Sequence, residues 1–152
     1  MGERDCSRPR VLGERALRHQ IAEVTLGLTV LGVGVDVVAI SRVEKVIARH
    51  GDRFAKRVLS ASEWPSYMER TQRGHYVAKQ FAAKEAISKA LGTGIAAGIT
   101  FHQLVVLRDA AGAPTVSVQE AAQQRLWQLG GTRVQLSISD DADWALAVAV
   151  VC

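Results

Sequence analysis

The sequence lacks the residue patterns that several common classes of protein require. Its two cysteines, Cys6 and Cys152, stand near opposite ends of the chain. They form neither a disulfide framework nor a metal-binding spacing, and they favour a reducing, cytoplasmic location. The histidines show no ligand spacing, so a histidine-based metal site or catalytic triad has no support. No repeat or low-complexity segment is present, and no apolar run is long enough to span a bilayer.

What the chain does contain is the composition of one globular domain. Its 152 residues are enough to bury a core, and 48% hydrophobic with 22% charged residues is an ordinary balance for a folded protein. The formal net charge of +4 and the sequence pI of about 9.4 predict an anionic partner. On composition alone this partner could be nucleic acid, a membrane, an acidic protein or a phosphorylated small molecule.

The N-terminal segment, residues 1–28, has mixed charge and no clear period, and we interpret it as an appendage to a single domain at residues 29–152. A signal peptide is an alternative, because basic residues precede an uncharged apolar run over 24–35. The glycines within that run, and Asp36 directly after it, argue against cleavage. A secreted binding domain stays open as a second hypothesis.

Alternation of residue types predicts a strand over 30–38. One face of this strand is valine-rich, which predicts that it points into the core. The other face carries two glycines and Asp36, which leaves space for a close approach to the backbone. Ser41 with Glu44 three residues later is a capping box, which predicts that a helix begins there.

The remaining elements follow from helix formers, turn residues and alternation. Gly51 is predicted to divide the first helical region in two, and a short third helix begins near Pro65. Beyond these we predict a helix over 75–91, strands over 99–107 and 115–118, a helix over 118–129, and a hairpin of 134–139 with 144–151. Strands and helices without regular βαβ alternation predict an α+β fold with a mainly antiparallel sheet packed with helices.

The long predicted helix carries the first group that suggests chemistry. One of its faces is shared by Ala78, Ala82, Glu85 and Lys89. A glutamate four residues before a lysine is also a common stabilising pair on an exposed helix. The turn Gly92-Thr93-Gly94 just after Lys89 favours a functional interpretation, because its backbone N–H groups could face an anion.

Asp36 is the second candidate. A strand-end aspartate is, in isolation, more often a cap than a ligand. A hard cation such as magnesium needs only one or two carboxylates, with phosphate oxygens and water as its other ligands. Asp36 and Glu85 supply such a pair if the fold brings them together.

A basic stripe is predicted on the first two helices. Its members are Arg42, Lys45, Arg49, Arg53 and Lys56. A solvated helix face is one interpretation, and a docking surface is the other. The stripe lacks the aromatic residues that usually stack on nucleic acid, so an acidic protein helix is the better complement and a basic nucleic-acid-binding adaptor is the weaker alternative.

Three segments stand at a consistent spacing along the chain. They are 31–44, with the sequence LGVGVDVVAISRVE, 51–60, with GDRFAKRVLS, and 81–94, with FAAKEAISKALGTG. Together they resemble the holo-acyl-carrier-protein synthases, the small trimeric bacterial type within the 4′-phosphopantetheinyl transferase superfamily. Gly112-Ala113-Pro114 and the closing hairpin agree with this resemblance, which covers residues 30–152.

The resemblance implies a magnesium-dependent enzyme with the 4′-phosphopantetheinyl transferase fold. Such an enzyme transfers the phosphopantetheine arm of coenzyme A to a serine of an acidic acyl carrier protein, releases adenosine 3′,5′-bisphosphate, and serves fatty acid biosynthesis. Asp36 and Glu85 would bind magnesium and the pyrophosphate of coenzyme A, and Lys89 would lie near the reacting phosphate. Gly92 and Thr93 would border the nucleotide. Glu85 would accept the serine proton, either directly or through a water molecule.

The resemblance also implies partners and departures. The family is generally a homotrimer with each active site between subunits, so Pro114 and the loop at Asp140 would reach a neighbour's site. Carrier docking would use Arg42, Lys45, Arg49 and Arg53, and no nucleic-acid or membrane partner is expected. Gln80 stands where many members have arginine, and Asp140 stands where many have histidine. The nucleotide contacts of those family residues therefore do not carry over.

Overall fold

The computed structural model describes residues 29–152, which contain five α-helices and two antiparallel sheets. The helices are α1 (Ile40–His50), α2 (Arg53–Val58), α3 (Trp64–Met68), α4 (Arg73–Ala90) and α5 (Glu120–Gln128). The strands are β1 (Gly32–Ala39), β2 (Leu104–Arg108), β3 (Pro114–Val118), β4 (Val134–Asp141) and β5 (Trp144–Val151). A short 3₁₀ turn, Phe101–Gln103, precedes β2.

The larger sheet has the strand order β1-β5-β4, and the smaller one pairs β2 with β3. All of these pairings are antiparallel, which confirms the predicted α+β class. In the larger sheet Asp36 lies opposite Ala147, and the predicted closing hairpin pairs Asp141 with Trp144. Within residues 29–152 no helix combines the length and the apolar character that crossing a bilayer requires. The predicted appendage, residues 1–28, lies outside the described residues.

The core forms where α4 crosses one face of the larger sheet. Small residues dominate this contact, and the buried ones are Ala82, Ala83, Ala86, Ala90, Ala145, Ala147 and Ala149. Glycines in β1 bring the two backbones closer still. A side-chain carbon added at Gly34 would overlap the carbonyl oxygen of Ala86, and one added at Gly32 would overlap that of Ala90. The middle of β1 is therefore held directly against the C-terminal half of α4.

This arrangement corrects the predicted orientation of β1. The glycine face points into the core, whereas Val33, Val35 and Val37 remain 58%, 49% and 52% exposed. The reason is steric, because valine side chains would not fit between a strand and a helix whose backbones lie so close. The space that the glycines leave is filled by α4 rather than by a ligand.

Other boundaries agree or differ for local reasons. Gly51, with φ of +58°, separates α1 from α2 as predicted. The predicted capping box at Ser41 is wrong, because the N-cap of α1 is Ala39, two residues earlier, and no side chain caps the helix. The N–H group of Ile40 instead donates to the carbonyl oxygen of Asp143 at 2.7 Å. The strand predicted over 99–107 begins only at Leu104, because the preceding residues form the 3₁₀ turn.

Candidate active site

Asp36, Glu85 and Lys89 lie together where β1 meets the C-terminal half of α4. Lys89 Nζ donates to Oδ1 of Asp36 at 2.7 Å and to the carbonyl oxygen of Val35 at 3.0 Å. The side chain of Asp36 is 17% exposed and that of Lys89 is 47% exposed. The cluster is therefore formed by the core packing of β1 on α4, yet its charged groups can be reached from solvent.

The electrostatic environment of Glu85 places it within this cluster. Partial burial raises the pKa of the Glu85 carboxyl group above its ordinary value, and the nearby Asp36 carboxylate raises it further. The Lys89 ammonium group opposes both effects and lowers this pKa. The carboxylates of Asp36 and Glu85, which were separate candidates in the sequence, thus share one site with the Lys89 ammonium group.

The donor set of this cluster suits a hard divalent cation. Residues 29–152 hold no group of three or more His, Cys, Asp or Glu side chains that could bind a metal by themselves. Asp36 and Glu85 offer carboxylate oxygens, and two carboxylates are what magnesium typically takes from a protein when phosphate and water fill its other positions. Only Oδ1 of Asp36 is bonded to Lys89, which leaves its Oδ2 for a cation.

The Gly92–Gly94 turn lies just beyond Lys89, but the structure corrects the predicted role of its amides. The N–H groups of Thr93 and Gly94 both donate to the carbonyl oxygen of Ser88, at 3.2 and 3.1 Å. The N–H group of Gly92 donates to the carbonyl oxygen of Lys89 at 2.9 Å. These amides cap the C-terminal end of α4, whose last carbonyls need donors, and so they do not face an anion.

Arg125 is a residue of this region that the sequence did not reveal. It lies on α5, and its Nε donates to the carbonyl oxygen of Leu91 at 2.9 Å. A guanidinium group at the C-terminal end of α4 complements the helix dipole and satisfies a carbonyl at the start of the turn. No spacing in the sequence could indicate it, because α5 and α4 are separated by both strands of the smaller sheet.

A second concave region lies at the N-terminal half of α4 and will be called the basic pocket. Its volume is about 590 Å³, and its basic side chains are those of Arg70, His75, Lys79 and Arg108. Pro114, predicted as a nucleotide neighbour, lines this pocket and is not part of the Asp36 cluster. Lys79 Nζ lies 3.2 Å from Oδ1 of Asp140 beside the pocket, so a lysine–aspartate pair stands where the family resemblance led to a histidine.

The basic stripe is exposed along α1 and α2. Arg42, Lys45, Arg49 and Arg53 all reach solvent, while Val43 and Val58 on the opposite side are buried. Within the part of the chain that the structure describes, none of the four basic side chains forms an ion pair. Because α1 follows β1 without a loop, the stripe starts at Arg42, directly after the strand that carries Asp36.

Comparisons with known proteins agree with this architecture. Residues 32–149 match the profile of the 4′-phosphopantetheinyl transferase superfamily. A holo-[acyl-carrier-protein] synthase of Shewanella amazonensis is 46% identical over 125 residues, which are 82% of this chain and 100% of that protein. The crystal structure of the holo-[acyl-carrier-protein] synthase from Neisseria meningitidis gives a TM-score of 0.76 at 36% identity and covers 81% of this chain and 98% of that one. The Helicobacter pylori holo-[acyl-carrier-protein] synthase, solved in complex with coenzyme A, gives 0.69 at 32% identity, with 79% and 99% covered.

A match of this length and identity establishes the class of protein, so the chain belongs to the 4′-phosphopantetheinyl transferase superfamily and, within it, to the holo-[acyl-carrier-protein] synthases. The resemblance inferred from three short segments is confirmed, and the segments containing Asp36 and Glu85 both fall inside the matched range.

Proposed function

We propose that this chain transfers the 4′-phosphopantetheine group of coenzyme A to a serine of an apo acyl carrier protein, as a step in fatty acid biosynthesis. The observation that carries the proposal is the Asp36–Glu85–Lys89 cluster, accessible to solvent and formed by segments that match the family. The coenzyme A complex of the Helicobacter pylori relative supports coenzyme A as the donor. The comparisons give no support to a nucleic-acid-binding adaptor or a secreted binding domain.

Magnesium is proposed as the metal, held by Asp36 and Glu85. When bound, it would neutralise charge on the phosphate oxygens of coenzyme A and orient them for in-line attack. The support is the chemistry of the donor set, which consists of two carboxylates, an oxygen-only pair with a free Asp36 Oδ2.

The side chains of this cluster divide the remaining work. The serine oxygen forms a bond to the phosphorus that carries the pantetheine arm, and the bond from that phosphorus to adenosine 3′,5′-bisphosphate breaks. Lys89 is exposed and can stabilise negative charge on the transferred or departing group. The serine proton passes to Glu85, directly or through water.

The basic pocket is proposed as the site of the nucleotide. Arg70, Lys79 and Arg108 supply positive charge for phosphate oxygens, and Pro114 supplies an apolar wall. Gly92 and Thr93 lie beyond the other end of α4, so they would border the nucleotide from a neighbouring subunit of the proposed homotrimer. Gln80 cannot replace the family arginine, because it is buried with its amide group bonded to Tyr76 and Val106. Lys79, whose side chain is 27% exposed, is the cation next to that position in sequence.

A homotrimer is proposed, with neighbouring subunits completing each active site. The outer face of the larger sheet supports association, since five of its apolar side chains are 39–58% exposed: Val33, Val35, Val37, Trp144 and Leu146. The number three is supplied by the family resemblance. Association through this face would explain why valines occupy the outer positions of β1.

The carrier protein is proposed to dock on the basic stripe. Four of its exposed cations, Arg42, Lys45, Arg49 and Arg53, complement an acidic helix. Because α1 directly follows the strand that carries Asp36, docking there would bring the carrier serine toward the cluster. A cytoplasmic location remains a prediction from the cysteine pattern.

The proposal is tested by incubating the protein with coenzyme A, magnesium and an apo acyl carrier protein, and measuring the intact mass of the carrier. We expect the carrier mass to rise by one phosphopantetheine group, and the gain to disappear when a chelator replaces magnesium. A carrier whose serine is replaced by alanine is the matched control. No mass gain with the unmodified carrier and magnesium would contradict the proposal.

A further inference from the structure

An ion pair is completely buried beside the basic pocket, and the reaction as described does not use it. Lys84 Nζ lies 2.6 Å from Oε2 of Glu63, and both side chains are 0% exposed. Lys84 uses its other two N–H groups on the carbonyl oxygens of Val58, at 2.7 Å, and Phe101, at 2.9 Å. Burial lowers the pKa of Lys84, and the carboxylate of Glu63 opposes that shift.

Glu63 distributes its two oxygens between different segments. Its Oε2 also accepts from the N–H group of Ser60 at 2.6 Å, and its Oε1 accepts from the N–H group of Val106 at 2.7 Å. The pair therefore joins the end of α2, the loop before α3, the 3₁₀ turn and β2 to a single point on α4. Every hydrogen-bonding position of the ammonium group is occupied.

The contact with Val106 continues into a closed ring of hydrogen bonds. The carbonyl oxygen of Val106 accepts from Nε2 of Gln80 at 3.1 Å, and the same Nε2 lies 3.1 Å from the hydroxyl oxygen of Tyr76. The Tyr76 hydroxyl donates to the backbone carbonyl oxygen of Glu63 at 3.4 Å, which closes the ring. Tyr76, Gln80 and Val106 are the ring members that line the basic pocket.

We infer that Glu63 and Lys84 are positioning residues for this pocket: they fix β2 against α4, and so hold the pocket lining in the shape that accepts coenzyme A. This inference rests on the proposed function. Both side chains are fully buried, so neither touches a ligand, and their effect must pass through Val106, Gln80 and Tyr76. A displaced wall fits its ligand less well, and a misplacement of about 1 Å caused by a residue remote from the chemistry can cost about 100-fold in function.

The position of Gln80 gives the inference its chain-specific content. The amide group of Gln80 is bonded to Val106 and to Tyr76, so the residue that replaces the family arginine completes the ring. Gln80 is buried and shapes the wall of the basic pocket. The charged contacts to a ligand are then made by Lys79 and Arg108. The Glu63–Lys84 ion pair thereby positions the lining of the basic pocket without supplying any of its charged groups.

The test compares Glu63→Gln with Glu69→Gln, an exposed glutamate at the end of α3. Coenzyme A binding is measured by calorimetry, and transfer is measured at saturating and limiting coenzyme A. For Glu63→Gln we expect a rise of about tenfold in Kd and KM for coenzyme A, with kcat changed less than about twofold and KM for the carrier unchanged. Glu69→Gln should match the wild type in every value.

Glu63→Asp separates geometry from charge, because it keeps the carboxylate but is too short to reach Lys84 and Val106 together. We expect it to fold and to raise Kd for coenzyme A in the same direction as Glu63→Gln. Folded variants that bind coenzyme A as tightly as the wild type would overturn the inference. Loss of folding in both variants would also overturn it, because the pair would then serve the stability of the whole chain. A wild-type protein that does not bind coenzyme A would instead contradict the proposed function.

Discussion

Among single residues, Glu85 is one whose ionisation depends on its neighbours. Burial and the Asp36 carboxylate both disfavour its ionised form, while the Lys89 ammonium group favours it. The carboxylates of Asp36 and Glu85 lie close together because β1 packs closely against α4. This packing is possible because neither Gly32 nor Gly34 carries a side chain. A divalent cation bound between the two carboxylates would offset their mutual repulsion.

The pKa of Glu85 therefore responds in opposite directions to changes at its two neighbours. Asp36→Asn removes a negative charge and should lower the pKa of Glu85, whereas Lys89→Gln removes a positive charge and should raise it. In the wild type this pKa should lie above the ordinary 4.5. The pKa of Glu85 in the wild type and in both variants is measured by carbon-13 NMR titration of the side-chain carboxyl groups in the absence of metal. Glu69→Gln, at an exposed position, is the control, and a Glu85 pKa that is the same in all variants would contradict the assigned proximity.

The sequence identifies some site residues and cannot identify others, for a physical reason. Asp36, Glu85 and Lys89 belong to local motifs with recognisable spacing, so the sequence alone makes them candidates. Glu63 and Arg125 act on partners from distant elements, and only the folded chain shows those contacts. The Gly92–Gly94 turn is a helix end, as its glycines predict, but its amides serve the helix and not an anion.

At the scale of elements, the contact between β1 and α4 decides where the site lies. It depends on the absence of side chains at two positions of β1, since a carbon added at Gly34 would meet a main-chain carbonyl that cannot move aside. The alternation of β1 was predictable from the sequence. The face that points inward was not, because hydrophobicity alone takes no account of how closely a helix approaches.

Gly34→Ala should therefore destabilise the fold by about 3 kcal/mol, through overpacking of β1 against α4. Urea unfolding followed by circular dichroism measures this change in the free energy of unfolding. Gly130→Ala is the control, because nothing lies within 4 Å of a carbon added there, so its cost is limited to that of the left-handed backbone conformation, about 1 kcal/mol. Equal stability of Gly34→Ala and the wild type would contradict the described packing.

The basic stripe is the second element-scale feature, and it predicts a selective effect on the carrier. Arg49→Glu should raise KM for the carrier protein by about tenfold and leave KM for coenzyme A unchanged, because a like charge now faces an acidic partner. Added sodium chloride should weaken carrier binding of the wild type in the same way. Arg133→Glu, an exposed arginine outside the stripe, serves as the control. A change confined to the dependence on coenzyme A would assign the stripe another role.

For the whole molecule, the main open question is why the outer face of the larger sheet is apolar and exposed. Within residues 29–152, a single chain offers nothing that covers this face. The fold class followed from the order and periodicity of the elements, and the structure confirmed it. Assembly did not follow from any sequence period and came from the family resemblance alone. The prediction that residues 1–28 are an appendage also stays a prediction.

Val35→Glu should dissociate the proposed trimer, because it places a charge in the centre of that face. Sedimentation velocity should give trimers for the wild type and monomers for the variant, and transfer should fall with dissociation. Met68→Glu is closely matched, since Met68 and Val35 are both apolar and both 49% exposed, but Met68 lies on α3. A stable and fully active wild-type monomer would contradict the shared-site proposal.

The central claim is that Asp36 and Glu85 together form the metal-dependent centre of phosphopantetheine transfer. It is tested most directly by the transfer rate of Asp36→Asn and Glu85→Gln, measured as intact carrier mass at saturating coenzyme A, carrier and magnesium. We predict that each variant loses at least about 100-fold in rate while its circular dichroism spectrum remains that of the wild type. The exposed Glu69→Gln should retain full activity. Wild-type rates in both Asp36→Asn and Glu85→Gln would contradict the claim.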